Sequence, residues 1–451
     1  MLMNTLDPDV AERPEEFIVC GTAGKTVTDW ESYLAIGAAL RTLESDQTLL
    51  VRAGEPAKIL PMHGAPPRVL ISIGGNSASW MYVGTQGALQ ATYETLRAAA
   101  ARHFAGDLAG RLVVSAGMGS LGGAQPLAAT WNGAAFLGID ADPARIKRRV
   151  KSGYCDVMVS SLDEALRILK NAVRERAARS VGLVGNAADV IPELARRGVV
   201  PDLLTDRTAE YDPLLGYWPR GMSLAEAAEL RRNNPEEARR RSLESIAAQV
   251  HGMLELRKLG AMVFDFGNGI FAQAREAGVS EAAAISDFAE ANFGPALGND
   301  RGPLRWIALS GEASDIERID RLALQLLEHD KILVRYIRLA QKYLRPQGLP
   351  ARVCWMLDAD RARFCLAVND LVAHGELKAP IVLGRDFVDG SGVAVPARDE
   401  WIETTTGASV VEYLVPAPGS GPGDAGRDGA QAIVADGMPE TVARIERVMG
   451  I

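Results

Sequence analysis

Three glycines spaced as G-x-G-x-x-G could hold the phosphates of a dinucleotide. Gly117, Gly119 and Gly122 follow an apolar, β-branched run at 111–116 and precede a helical stretch. In this pattern the first glycine permits a tight turn, the second lets the backbone approach a pyrophosphate, and the third lets the helix pack close to the strand. Asp140 ends the next strand-like run, eighteen residues after Gly122, where an acceptor for the ribose hydroxyls is expected.

Asp140 also bears on the choice of dinucleotide. The nearby Arg145 could bind the 2′-phosphate of NADP, but a carboxylate at the strand end repels that phosphate, so these residues favour NAD. On these residues alone the alternative is a glycine-rich turn that binds nothing, with Asp140 as a solvated loop carboxylate.

Regular elements must position these residues. Short β-branched runs alternate with helical stretches, an order typical of a parallel sheet with helices on both faces, so we predict an α/β fold. Capping boxes at Ser161 and Ser223 and a capped helix at Ser314 indicate helix starts. The predicted strands of the regular region are 111–116, 134–140, 155–160, 181–185, 202–205 and 262–266.

Composition narrows the class of protein. The 451 residues carry a net charge of −8, which suits neither nucleic acid nor an anionic membrane surface, so we expect neither partner. The four cysteines form no C-x-x-C pair and the five histidines have no metal-ligand spacing, so we expect no metal. The chain does not begin with a basic segment followed by an apolar stretch, and four cysteines do not make a disulfide scaffold. These features predict a cytoplasmic protein.

Many segments of the chain, in order, resemble the urocanase (urocanate hydratase) family. The most distinctive is Gly122-Gly-Ala-Gln-Pro-Leu-Ala-Ala-Thr130. The others are residues 1–11, 82–87, 91–96, 211–217, 264–268, 305–306, 347–355 and 380–386.

The resemblance implies a domain organisation and a reaction. A Rossmann-like NAD-binding domain (95–292) would be inserted into an α/β core domain formed by both chain ends (1–94 and 293–451). It also implies a homodimer, tightly held NAD and the breakdown of a histidine derivative. In the family's chemistry the oxidised nicotinamide is an electrophile toward the imidazolyl acrylate, which is then protonated and hydrated without net redox.

The resemblance further implies site residues. The cofactor contacts would be Gly21, Thr22, Gln86, Gly117, Gly119, Ser120, Leu121, Gly122, Asp140, Arg145, Asn186, Ala187, Arg207, Thr208, Ala209, Glu210, Tyr211, Tyr217, Trp218 and Phe266. The catalytic candidates are Cys354 beside the nicotinamide, Asp386 and Asp389 for proton transfer, and Arg305, Arg361 and Arg398 for the substrate carboxylate. Their alternatives are a small buried core residue for the cysteine, an ordinary turn for the aspartates, and structural roles for the arginines.

The chain departs from the family pattern where the ligand is expected. Cys20 and Phe266 replace tyrosines, Phe387 replaces a histidine, and a histidine- and glycine-rich segment is absent, with 414–418 in its place. The segment 207–211 is also altered. The changes at Cys20, Phe266, Phe387 and 414–418 make the expected pocket less polar, so we predict a substituted urocanate, such as a thiourocanate, S-methyl thiourocanate or N-methyl urocanate.

Three alternatives stay open. The first is urocanate hydratase proper. The second is an NAD-dependent dehydrogenase, against which the sequence shows no His–Asp or His–Glu pair that would indicate a base for hydride transfer. The third is an inactive NAD-binding sensor.

Overall fold

The computed structural model divides the chain into two compact units, Met1–Gln90 with Leu297–Ile451, and Ala91–Ala296. We call them the terminal unit and the central unit. The structure describes residues 2–20, 24–44, 46–52, 54–61, 69–72, 82–208, 213–266, 269–285, 301–386, 412–413 and 430–449.

The described N-terminal part of the terminal unit contains a two-stranded sheet of β1 and β2, a three-stranded sheet of β3 to β5, and one α-helix. Its elements are β1 (Ile18–Cys20), β2 (Gly24–Lys25), α1 (Trp30–Thr42), β3 (Gln47–Arg52), β4 (Glu55–Pro61) and β5 (Val69–Ser72). β3 lies between an antiparallel β4 and a parallel β5. Asp29 begins α1, because its carboxylate accepts the N–H of Ser32 at 2.9 Å. The chain passes from the terminal to the central unit within α2 (Leu89–His103).

The central unit is the predicted alternation of strands and helices. Its strands are β6 (Leu112–Ala116), β7 (Ala135–Asp140), β8 (Val157–Val159), β9 (Arg179–Val184), β10 (Leu203–Asp206) and β11 (Met262–Val263). Its helices are α3 (Gln125–Trp131), α4 (Pro143–Lys151), α5 (Leu162–Glu175), α6 (Ala187–Arg196), α7 (Pro213–Gly216), α8 (Leu224–Asn233), α9 (Pro235–Lys258) and α10 (Ile270–Glu276). All six predicted strands are confirmed, as is the α/β class.

The strand order of the central sheet places the glycine turn at its middle. The order is β11-β10-β6-β7-β9-β8, and the pairs are parallel. From β6 the chain moves to β7 on one side, and it later returns to β10 on the other. The carboxyl ends of β6 and β10 therefore flank a topological switch point, the usual place for a ligand in such a sheet.

Helix caps agree with the sequence in part. Ser223 and Glu226 form the predicted capping box at the start of α8. The box predicted at Ser161 is wrong, because this residue precedes α5 without a side-chain cap hydrogen bond. The cap predicted at Ser314 is also wrong, since that helix begins at Ala313 after Glu312.

The C-terminal part of the terminal unit is an antiparallel sheet covered by helices. Its elements are β12 (Arg301–Ala308), α11 (Ala313–Leu326), α12 (Lys331–Tyr343), β13 (Ala351–Leu357), α13 (Asp358–Ala373), β14 (Ile381–Asp386), β15 (Glu412–Tyr413), β16 (Ala430–Ala435) and α14 (Pro439–Met449). The strand order is β13-β12-β14-β16-β15.

The two faces of this sheet have different partners. Val353 and Ile307 point to the face that packs against Val83, which we call the Val83 face. Arg352 points to the opposite face, where it forms an ion pair with Asp320 on α11. Within the described residues, no helix is both long and apolar enough to span a bilayer.

Candidate cofactor cleft and active site

The glycine turn is fixed by close backbone packing at the switch point. Gly117 has φ +84°, and a Cβ atom there would lie 2.7 Å from the Thr208 nitrogen. A Cβ on Gly122 would overlap the carbonyl oxygen of Gly117 and lie 2.8 Å from that of Arg207. Glycine at both positions is therefore required for the β6 turn to pack against the segment after β10.

Arg149 on α4 supports the same turn and was not anticipated from the sequence. Its Nε donates to the Met118 carbonyl oxygen at 3.1 Å, and the side chain is buried. The guanidinium also lies over Gly123, where a Cβ would displace it. The signal that could have indicated Arg149 was the lack of a side chain at Gly123, which leaves room for a large neighbour.

Asp140 binds the glycine turn directly. Its Oδ2 accepts the N–H of Met118 at 2.8 Å, and its Oδ1 accepts the N–H of Asp142 at 2.9 Å. Burial raises the pKa of this carboxyl, opposed by Arg145, whose guanidinium lies 3.8 Å from Oδ2. Each oxygen has a second lone pair, so Asp140 can still accept hydrogen bonds from hydroxyl groups.

A cleft at the switch point brings eight predicted cofactor residues together. Those residues are Gly117, Asp140, Arg145, Asn186, Ala187, Thr208, Tyr217 and Trp218. Asn186 connects the start of α6 to the segment that contains Trp218. Its Oδ1 accepts the Ala188 N–H at 3.0 Å, and its Nδ2 donates to the Trp218 carbonyl at 2.9 Å. We call this the switch-point cleft.

Asp206, at the end of β10, is buried behind residues that line this cleft and was not among the residues predicted from the sequence. Its carboxylate accepts from the Tyr217 hydroxyl (3.3 Å), the Thr208 N–H (2.9 Å) and hydroxyl (3.3 Å), and the Gln249 amide (2.7 Å). Burial, followed by the charge of Asp206, raises the pKa of Tyr217 well above its usual value. Tyr217 therefore stays a hydrogen-bond donor at neutral pH.

Arg207 and Phe266 lie together beside this network. The Arg207 guanidinium is 4.7 Å from the centre of the Phe266 ring, and its Nη1 donates to the Phe266 carbonyl oxygen at 3.0 Å. Both residues are 2% exposed. The buried cation is therefore stabilised by the face of an aromatic ring and by a carbonyl dipole.

The structure places Cys354 in the core of the terminal unit. It lies two residues after Arg352 on β13, so both side chains point to the face covered by α11. The residue has no solvent exposure, and burial raises the pKa of its thiol well above the usual value. In this environment the thiol is protonated and packs as a small apolar group.

The three arginine and aspartate candidates that the structure describes lie on three elements of the terminal unit. Arg305 on β12 is buried and opposite Val353, so its side chain is on the Val83 face. Arg361 in the first turns of α13 is buried and donates to the Asp358 carboxylate. Asp386 is the last residue of β14 and pairs with Ala430.

The remaining predicted residues are distributed as follows. Gln86 lies in the terminal unit, where its Nε2 donates to the Val83 carbonyl at 3.3 Å. Gly119, Ser120 and Leu121 belong to the turn after β6. Residues outside the described part of the chain are Gly21, Thr22, Ala209, Glu210, Tyr211, Asp389 and Arg398.

The structure contains a His–Asp pair that no sequence motif indicated. His329 Nε2 lies 2.7 Å from Asp360 Oδ2, so the terminal unit does contain a His–Asp pair. Asp360 also accepts from Arg363 at 2.8 Å, and the His329 side chain is half exposed. The two residues are 31 positions apart, which is why no motif indicated them.

The residues present fit a dinucleotide at the switch-point cleft. Asp140 has the acceptor positions for a ribose, and Gly117 and Gly122 bring the backbone of β6 and β10 close beneath the cleft. Within the described residues, no group of three or more His, Cys, Asp or Glu side chains could hold a metal ion. Fold and cleft together define a Rossmann-like α/β protein.

Comparison with known proteins identifies the family. The Urocanase N-terminal domain matches residues 1–104, the Urocanase Rossmann-like domain residues 84–292, and the Urocanase C-terminal domain residues 295–414. The chain belongs to the urocanase family. Its members are hydro-lyases of the urocanate hydratase type, and membership implies NAD-dependent hydration of a urocanate-like substrate.

Among solved structures, L-tryptophan dehydrogenase from Nostoc punctiforme matches 47% of this chain and 69% of its own at 10% identity. The TM-score is 0.18, too low to support any statement about fold or function.

Proposed function

We propose that this enzyme adds water to a ring-substituted urocanate, such as S-methyl thiourocanate or thiourocanate, with NAD as cofactor and no net redox. The observation that carries the proposal is Phe266, an apolar ring where the family has a tyrosine. It is 2% exposed and lies against the Arg207 guanidinium. A wall without a hydroxyl at this place suits a bulkier or more apolar ring than imidazole, because no polar group there needs a partner.

The other departures support the proposal from the sequence alone. They are Cys20, whose side chain the structure does not describe, and Phe387 and 414–418, which lie outside the described residues. All of them replace polar groups of the family pattern with less polar ones.

The residues of the chain have separate tasks in this proposal. Bound NAD would supply an electrophilic nicotinamide to the electron-rich acrylate. Asp140 and Asn186 hold the switch-point cleft in shape. Because the buried Cys354 thiol stays protonated, we assign proton transfer to Asp386 or Asp389.

The substrate carboxylate would be bound by arginine. Arg305, Arg361 and Arg398 are the candidates, since a guanidinium can bind a carboxylate with two parallel hydrogen bonds. Arg361 is already oriented by Asp358. Arg305 lies on the Val83 face of the sheet, and Gln86 follows Val83 by three residues in the chain.

The proposal includes the organisation of the protein. The NAD-binding domain is 95–292, and the core domain is 1–94 with 293–451, which the two compact units support. The protein acts as a homodimer in the cytoplasm, a compartment that suits the buried thiols of Cys155 and Cys354.

An ultraviolet assay with the enzyme as isolated tests the proposal. The panel is urocanate, thiourocanate, S-methyl thiourocanate and N-methyl urocanates. We expect loss of the acrylate absorbance of a substituted compound without appearance of NADH. Turnover of plain urocanate alone would establish urocanate hydratase proper. Appearance of NADH would establish a dehydrogenase, and bound NAD without any turnover would favour an inactive sensor.

A further inference from the structure

Gln347 carries a buried side-chain amide that the described residues leave without a hydrogen-bond partner. The residue is 4% exposed, and it precedes β13 in the loop between α12 and that strand. Within the described part of the chain, neither its Oε1 nor its Nε2 has a hydrogen-bond partner. A buried amide without partners is unfavourable, so such groups in native proteins call for a ligand, a water molecule or a functional reason.

Gly84 makes room for this amide. Gly84 has φ +83°, and a Cβ atom at that position would lie 2.6 Å from Gln347 Oε1. Any other residue would therefore push the amide away while adopting a backbone conformation that favours glycine. The segment 84–86, which contains the expected cofactor contact Gln86, is thus shaped around the Gln347 amide.

The same part of the terminal unit carries other groups suited to a ligand. Gln86, Pro346 and Pro350 line an open groove of about 400 Å³ that reaches the loop on both sides of Gln347, which does not itself line the groove. The side chain of Arg305 is on the Val83 face of the sheet. The terminal unit therefore contributes both a cation that can bind a carboxylate, Arg305, and an amide that can bind a polar ring or a carboxamide, Gln347.

We propose that the Gln347 amide is a ligand contact that presents one hydrogen-bond donor and one acceptor to a planar nitrogen-containing group bound beside 84–86. Two such groups occur in the reaction: the carboxamide of the nicotinamide and the imidazole ring of the substrate. Both offer a donor and an acceptor in one plane: an amide side chain can pair with both groups of a carboxamide, or with one of the two nitrogens of an imidazole. This proposal rests on the proposed function and extends it to a named recognition residue.

The variant Gln347→Met tests the proposal, because methionine keeps the unbranched shape but has no amide. The matched control is Gln90→Met. Gln90 is similarly buried and its Nε2 also has no partner among the described residues, but its Oε1 accepts the Trp355 N–H at 2.7 Å. Three quantities are measured for wild type and both variants: the unfolding temperature without added ligand, the affinity for NAD, and the affinity for each member of the urocanate panel.

We expect Gln347→Met to unfold within about 2 °C of wild type or higher, because it removes an unpartnered group. Gln90→Met should unfold at a lower temperature, because it leaves a buried N–H without an acceptor. A loss of about tenfold in NAD affinity, which corresponds to 1.4 kcal/mol, would identify the nicotinamide as the ligand. The same loss for a panel compound with unchanged NAD affinity would identify the ring.

Two results would overturn the proposal. One is that Gln347→Met binds NAD and every panel compound within about twofold of wild type, which would leave a buried water as the amide's partner. The other is that Gln347→Met is destabilised as strongly as Gln90→Met. If wild type binds and turns over no panel compound, the proposed function fails, while the NAD measurement still decides whether Gln347 is a contact.

Discussion

The Gln249 amide donates a 2.7 Å hydrogen bond to the Asp206 carboxylate, and both residues are buried at the carboxyl end of the central sheet. Gln249 lies on α9, so this bond fastens the longest helix of the central unit to the strand beside the glycine turn. Because Asp206 also accepts from Thr208 and Tyr217, one carboxylate orients three residues that line the switch-point cleft.

Replacing Asp206 should therefore loosen the whole cleft. Asp206→Leu leaves several buried donors without an acceptor, and each costs about 1–3 kcal/mol, so we expect a loss of at least about 3 kcal/mol in the free energy of unfolding together with loss of bound NAD. Asp206→Asn should cost less, because the Gln249 amide can turn over and accept from the new amide. Urea unfolding and NAD content of the purified variants measure both effects.

The control for this series is Asp107→Asn. Asp107 is an exposed carboxylate paired with an equally exposed Arg176. Exposed pairs contribute little, so this variant should stay within about 0.5 kcal/mol of wild type with unchanged NAD content. If Asp206→Leu were no less stable than Asp107→Asn, the hydrogen bonds of Asp206 would make no contribution to the stability of the protein.

The strands of the central unit, the glycine turn and the position of Asp140 at the end of a strand could be predicted from the sequence, because each depends on residues close together in the chain. It did not indicate Asp206, since a carboxylate at the end of a short apolar run looks like an ordinary strand end. Its partner Gln249 is 43 residues away on a helix, and this contact exists only once α9 packs on the sheet. The His329–Asp360 pair was missed for the same reason. Ser161 and Ser314 fit a local capping pattern that the folded chain does not use.

Phe266→Tyr should shift substrate preference toward plain urocanate, if the proposed function is correct. The added hydroxyl makes the wall beside Arg207 more polar, and a site that can hydrogen-bond discriminates strongly between polar and apolar ligands. We expect the ratio of kcat/KM for urocanate over that for S-methyl thiourocanate to rise roughly tenfold. Phe264→Tyr is the control, because its ring packs 5.3 Å from that of Phe266 but is not a predicted contact. An unchanged ratio in Phe266→Tyr would argue against a role for this residue in specificity.

Cys155 should make the protein less stable in alkali. Burial raises the pKa of its thiol from 9.0 to about 11. Between these values the folded chain keeps a proton that the unfolded chain releases, so stability is full below pH 9 and falls as the pH rises toward 11. The shift corresponds to a loss of about 3 kcal/mol. Urea unfolding at a series of pH values should show a steeper decline for wild type than for Cys155→Ala. Parallel declines in the two proteins would exclude a contribution from this thiol.

Gly122→Ala should disrupt the turn on which the switch-point cleft depends. The new Cβ would overlap the Gly117 carbonyl oxygen and approach that of Arg207, and backbone atoms on both sides cannot move independently. We expect a loss of several kcal/mol, about 3 or more, in the free energy of unfolding, and no retained NAD. Gly37→Ala is the matched control, because it is the same chemical change inside α1, where a Cβ would meet nothing within 4 Å. There alanine should stabilise the protein by about 0.5–1 kcal/mol, since glycine is the weaker helix former. If the two substitutions changed the free energy of unfolding equally, the close packing of Gly117 and Gly122 would not be what stabilises the turn.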